Sequence, residues 1–162
     1  MNSTDHIERQ ILLKAPRERV WRALTDPAQF GAWFGMAFDG PFIAGQPVSG
    51  RIEPTQVDAE VAKMQEKFRG TPITLLIERI EPMRLFSYRW HPYAVDTTVD
   101  YSDEPTTLVS FELEEAYDGT LLRLTESGFD ALPAARRENA LRANRGGWKK
   151  QISNIQRYVD AH

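Results

Sequence analysis

Asn144-Arg145-Gly146-Gly147-Trp148, with Ile152, Ile155 and Val159 behind it, is the stretch that decides the fold of this 162-residue chain. Trp148, Ile152, Ile155 and Val159 recur at four, three and four, the spacing of one apolar helix face. Asn144 falls four residues before Trp148 and shares that face. Two glycines lie inside the pattern, where each costs roughly 1 kcal/mol relative to alanine. A helix that carries this cost beside a tryptophan needs close approach, a bend or open space at that point. Two readings follow: tight packing against a sheet, or a helix laid over a cavity with the glycines clearing room for a ligand.

Upstream of this helix the pattern is β. Thr107 to Glu114 and Leu121 to Glu126 read as a hairpin around Asp118-Gly119, a strong short-range turn signal. Ile73 to Ile80 and Leu85 to Trp90 form another, joined by Glu81-Pro82-Met83-Arg84. A long acidic, proline-containing loop, Tyr93 to Pro105, separates the two pairs. Period-two alternation sets Phe86, Tyr88 and Trp90 on one face, and Val109, Phe111 and Leu113 on one face of the next strand. If Leu122 and Leu124 point inward, so does Glu126, and an inward carboxylate needs a partner or an accessible cavity.

Further back, Ile7 to Leu13 reads as a strand. Ala15-Pro16 starts a helix with Val20, Trp21 and Leu24 inside, and Asp26-Pro27 caps a short one presenting Phe30, Trp33 and Phe34. Short strands follow around Met36 to Asp39 and Val48 to Ile52. Residues 55–70 break the β pattern. Val57, Val61, Met64 and Phe68 recur at helical spacing, which predicts a short amphipathic helix, packed through Val61, Met64 and Phe68, or an ordered flap acting as a lid. Asp130 reads as the cap of the terminal helix, expected from about Pro133 to Tyr158. The order is one α+β domain over residues 1–162: strand, two short helices, an antiparallel sheet, one long helix.

Composition narrows the function. Hydrophobic residues make up 41% and charged residues 27%, which fits a globular chain, and no run of eighteen apolar residues suggests a membrane span. Met1 to His6 has no basic or apolar signal-peptide region, and cysteine is absent, which favours a cytoplasmic home and excludes thiol chemistry. A net charge of −3 leaves no footprint for nucleic acid. Arg136, Arg137, Arg142, Arg145, Lys149 and Lys150 read as the solvated face of the last helix. His6, His91 and His162 have no metal-site spacing, and no nucleophile-elbow, phosphate-loop or dinucleotide motif occurs. No metal and no cofactor is expected.

Ala15-Pro16-Arg17-Glu18-Arg19-Val20-Trp21-Arg22-Ala23-Leu24-Thr25-Asp26-Pro27 resembles the opening of the SRPBCC, or START-like, superfamily. Trp33-Phe34-Gly35, the Glu81-Pro82 turn and Gly146-Gly147-Trp148 resemble its branch related to the C-terminal domain of the activator of Hsp90 ATPase. Arg89-Trp90-His91-Pro92-Tyr93-Ala94-Val95-Asp96 resembles a subgroup of bacterial single-domain members. The resemblance implies a helix-grip fold: a curved antiparallel sheet of six to seven strands around the long C-terminal helix, with a cavity between them. Relatives bind lipids, hormones or aromatic polyketides, cyclise polyketides, or stimulate Hsp90. Residues 55–70 look like an insertion relative to the shortest members.

Given that fold, Trp33, Phe38, Tyr88, Trp90, Phe111, Trp148 and Ile152 are the candidate apolar lining of one cavity, with Glu126, Asn144 and the Tyr88 hydroxyl as its polar groups. The leading expectation is non-catalytic binding of a small, largely apolar ligand, aromatic or lipid-like. In that reading Glu126→Gln barely affects folding. The rivals are a cyclase- or hydrolase-type enzyme using Glu126 and Tyr88, and an Hsp90-activator-like interaction module. A homodimer is left open. A chaperone partner is also left open but not favoured.

Overall fold

The computed structural model describes residues 5–161, so Met1 to Thr4 and His162, both part of the sequence reading, lie outside the described residues. Strand β1 (His6–Leu13) leads into helices α1 (Arg17–Thr25) and α2 (Pro27–Phe34). Then come β2 (Met36–Phe38), β3 (Pro47–Ile52), the short helix α3 (Ala59–Gln65) and a 3-10 turn, Glu66–Phe68. The strands β4 (Pro72–Glu81), β5 (Leu85–Trp90), β6 (Thr107–Ala116) and β7 (Gly119–Ser127) precede α4 (Ala134–Ala161). All seven strands form one antiparallel sheet in the order β1-β7-β6-β5-β4-β3-β2. This is the α+β helix-grip arrangement, with two short helices after β1 and a long helix at the C-terminus.

Local chemistry explains the elements. The Asp26 carboxylate accepts from the Ala28 N–H at 3.0 Å and Pro27 follows as first residue, so α2 starts where an N-cap and a proline belong. It stops at Gly35, whose φ of 96° is the left-handed conformation of a helix C-cap. Gly119 is required by close approach: a Cβ there would lie 2.1 Å from the Leu13 carbonyl oxygen. Arg19 of α1 donates to the Val159 carbonyl at 2.5 Å and 3.1 Å, which holds the far end of α4 and satisfies one of its last carbonyls.

Some boundaries differ from the sequence reading. Ala116 pairs with Gly119, so the β6–β7 turn residues are Tyr117 and Asp118 rather than Asp118 and Gly119. Asp130 sits in a separate 3-10 turn, Phe129–Ala131, and α4 begins four residues later and ends at Ala161. Met64, expected to pack inward, is 50% exposed, whereas Val61 is buried and Phe68 half-buried. Arg136 is not a solvated residue. It donates to the Pro92 and Tyr93 carbonyls, pairs with Glu104 at 3.0 Å and lies over the Tyr101 ring, so it ties the acidic loop to α4.

Candidate functional site

Glu126 is fully buried on β7, and the parity argument that turned it inward holds. It meets no cation. Its Oε1 accepts from the Trp148 indole Nε1 at 2.7 Å and from Asn144 Nδ2 at 2.9 Å. Its Oε2 accepts from the Trp90 indole Nε1 at 2.8 Å and from the Thr107 hydroxyl at 2.6 Å. An ionised carboxylate is acceptor-only, with about four lone-pair positions, and every one here faces a donor. The 2.6 Å hydroxyl contact has the length of a charge-assisted bond. The cage spans β5, β6, β7 and α4, so one carboxylate fixes both indoles and clamps the long helix to the sheet.

All four lone-pair positions of Glu126 are taken, by Trp148, Asn144, Trp90 and Thr107. It is a positioning residue for Trp90 and Trp148. Tyr88 is fully buried nearby, yet its hydroxyl has no hydrogen-bond partner among the described residues. Burial first, and the negative charge of Glu126 second, push its pKa well above the usual phenol range.

The hollow expected among the inward aromatics is filled. Phe30 of α2 lies with its ring centroid 4.8 Å from those of Trp33 and Phe34, and 6.2–6.4 Å from those of Phe86, Tyr88 and Phe111. These are ordinary edge and stacking separations for packed rings. Trp33 is buried and donates its indole N–H to the Ala23 carbonyl at 2.8 Å, joining α2 to α1. Phe38 packs edge-on against Phe42 and tilted against Phe30 near the β2 edge, and Ile152 is partly buried against the same core. Trp33, Phe38, Tyr88, Phe111 and Ile152 therefore sit in packed structure. Trp90, Asn144 and Trp148 reach open space.

That space is a cleft of about 150 Å³ lined by Phe34, Trp90, Asn144, Gly147, Trp148 and Gln151. Trp148 stands 5.7 Å from Phe34 and 6.0 Å from Trp90, centroid to centroid, so the cleft has three aromatic walls. A Cβ built on Gly146 or Gly147 meets no atom within 4 Å. The glycines thus keep α4 bare over free volume; they do not serve close packing. Outside them a groove of about 520 Å³ runs between α4 and the α3 segment, with Gly147 and Gln151 bordering both spaces. Val61, Met64 and Phe68 form its outer wall, and Ala143 and Gly146 its inner one.

The 55–70 segment is docked onto α2 and α4. The Phe34 carbonyl at the end of α2 accepts from Gln65 Nε2 at 3.1 Å and from Gln151 Nε2 at 2.7 Å, one from each side of the groove. The Trp33 carbonyl accepts from the Thr55 hydroxyl at 2.9 Å and from Asn154 Nδ2 at 3.2 Å. Carbonyls a helix leaves unpaired at its C-terminus are here satisfied by the segment and by α4 together. The segment forms one wall of the groove.

Sequence reasoning missed Phe34, Gln151 and Gly147 as lining residues and Thr107 as a donor. The signals existed. Asn144, Trp148 and Gln151 are at four and three, one helix face, and Thr107 shares the inward parity of Val109 and Phe111. Among the described residues, no group of three or more His, Asp or Glu side chains could hold a metal ion, and no helix is long and apolar enough to cross a membrane.

A curved sheet, a gripping C-terminal helix and a cleft beneath its glycines define a helix-grip domain of the SRPBCC type. The chain belongs to the family described as Activator of Hsp90 ATPase homolog 1-like protein, whose sequence signature matches residues 14–160. No curated protein matches it. Among solved structures it is similar to protein MLL2253 from Mesorhizobium loti, at 21% identity and a TM-score of 0.70, covering 96% of this chain and 97% of that one. It is similar to protein CV1439 from Chromobacterium violaceum, at 18% identity and a TM-score of 0.66, covering 97% and 98%. The protein encoded by gene BPP1335 from Bordetella parapertussis aligns at 21% identity and a TM-score of 0.67, over 98% of this chain and 76% of that one. At these identities the likeness concerns the fold.

Proposed function

We propose that this chain binds a small, largely apolar molecule in the cleft under the Gly146-Gly147 step of α4, with the bound molecule extending into the groove beside α3. One observation carries the reading: two helix-interior glycines face free space beside a cleft walled by Phe34, Trp90 and Trp148. Glycine at both positions costs helix stability, and no packing contact returns it. A cleft of this size suits a single ring or a short branched chain; an apolar cavity of about 150 Å³ holds a benzene-sized guest. The saturated Glu126 cage supports binding over acid–base catalysis, because the carboxylate serves to hold the two indoles in place.

The test uses the neutral dye N-phenyl-naphthylamine, whose emission rises in apolar surroundings. Wild-type protein is expected to bind it. Gly147→Leu is expected to fill the cleft and lower affinity at least tenfold, while circular dichroism stays helical. Dye binding that is equal in the two proteins, or absent from the wild type, refutes the reading.

A further inference from the structure

We infer that the molecule held at this site is an anionic amphiphile: an apolar, ring-sized end in the cleft and a carboxylate at the rim of the groove, met by Lys63, Lys67 and Lys150. The inference rests on the binding site proposed above and names the class of its ligand.

The groove between α3 and α4 is lined by three lysines and by no aspartate or glutamate. Lys63 and Lys67 come from the α3 segment and Lys150 from α4, so the cations stand on opposite walls. Among the described residues none of the three forms an ion pair. Three arginines of the same elements and their flanks do: Arg69 pairs with Glu53 and Glu66, Arg142 with Glu138, and Arg157 with Asp58. In a chain whose net charge is −3, three cations outside any ion pair around one apolar groove run against the overall balance.

The lysines also suit a rim rather than a floor. The Lys67 ammonium lies 5.1 Å over the Phe68 ring, so its stem follows the apolar wall while its charge stays at the edge. Lysine is a compact point charge with rotatable donors, which fits a small anionic group without demanding one orientation. The amides deeper in the site are committed. Gln65 and Gln151 both donate to the Phe34 carbonyl, and Asn144 donates to Glu126. Besides the Tyr93 hydroxyl, the polar groups left for a ligand in the groove are the lysines, which alone carry charge, while the aromatic walls receive its apolar part.

The preference is testable with a matched pair, phenylhexanoate and phenylhexanol, each used to displace N-phenyl-naphthylamine. The acid is ionised at neutral pH. Exposed ion pairs add about 1.4- to 5-fold each, so three lysines give the acid roughly tenfold tighter binding at low salt. That preference is expected to fall toward unity at about 1 M salt, where the screening length is near 3 Å. It is also expected to vanish in the triple variant Lys63→Gln/Lys67→Gln/Lys150→Gln, which keeps its affinity for the alcohol. Equal affinity for acid and alcohol in the wild type overturns the anionic assignment and leaves the binding site standing. A preference that survives in the triple variant puts the anion elsewhere and also overturns it. If neither compound displaces the dye, both the assignment and the site are lost.

Discussion

Glu126→Gln changes one oxygen to an amide nitrogen at nearly constant volume, and its cost follows from counting donors. The carboxylate accepts four hydrogen bonds, from Trp148, Asn144, Trp90 and Thr107. A carboxamide offers two acceptor positions and two donors. The Thr107 hydroxyl can accept by rotating alone, whereas Asn144 would have to flip its whole amide and the two indoles are donors only, so the amide nitrogen is placed on the side of Thr107 and Trp90. The Trp90 indole N–H is then buried against another donor. One orphaned donor costs about 1–3 kcal/mol. The remaining bonds lose charge assistance, about 1 kcal/mol each. Removing a buried charge returns several kcal/mol of desolvation. The net expectation is a loss of about 1–3 kcal/mol, or roughly 2–12 °C in Tm for a chain of this size. Urea unfolding followed by far-ultraviolet circular dichroism measures it. The double variant sharpens the test: Trp90→Phe removes the orphaned donor, so it should cost less in the Glu126→Gln background than in the wild type, by about 1 kcal/mol. A Glu126→Gln protein within about 0.5 kcal/mol of the wild type, the ordinary scatter of surface changes, refutes the donor cage.

Gly146→Ala and Gly147→Ala are each expected to stabilise α4 by roughly 1 kcal/mol, because the added methyl meets open space; thermal unfolding of the two single variants checks this, and destabilisation would mean the glycines serve packing. Tyr88→Phe removes a buried hydroxyl that has no partner and is expected to leave stability at neutral pH unchanged or raise it by about 1 kcal/mol. The same residue sets an alkaline limit. Its folded pKa is raised well above 10.0, so above that pH the unfolded state has shed a proton the folded state still holds. Stability then falls as pH rises, by up to about 1.4 kcal/mol per pH unit, until the folded phenol ionises too. Urea midpoints measured for wild type and Tyr88→Phe from neutrality to alkaline pH should diverge above pH 10 with the wild type lower; parallel curves would contradict this.

Much of the architecture was readable because periodicity and caps are local. Strand parity placed Tyr88, Trp90, Phe111 and Glu126 inward, and Asp26-Pro27 marked the start of α2 at the right residue. The state of the interior was not readable. Parity puts side chains on a face, but only the position of α2 decides whether the space between them is empty, and Phe30 fills it. Parity likewise said that Glu126 needed a partner without saying which. Its donors come from strands and a helix up to 36 residues away, and two of them are tryptophans whose polar edge the hydrophobic pattern conceals. Lys150 read as a solvated charge of the last helix, because the rim it shares with Lys63 and Lys67 exists only once α3 docks beside α4.

The central claim is that the site opens at the glycine step of α4. Nitrogen–proton correlation spectra recorded while phenylhexanol is added test it most directly, because the alcohol carries no charge and reports on the cleft alone. Saturable shifts are expected at the Trp90 and Trp148 indole N–H groups and at the amides of Gly146, Gly147 and Gln151. Shifts confined to the shallow, charged depression at the opposite end of the sheet, where Lys14, Arg17, Glu115 and Asp118 lie, with those five signals unmoved, would contradict the account.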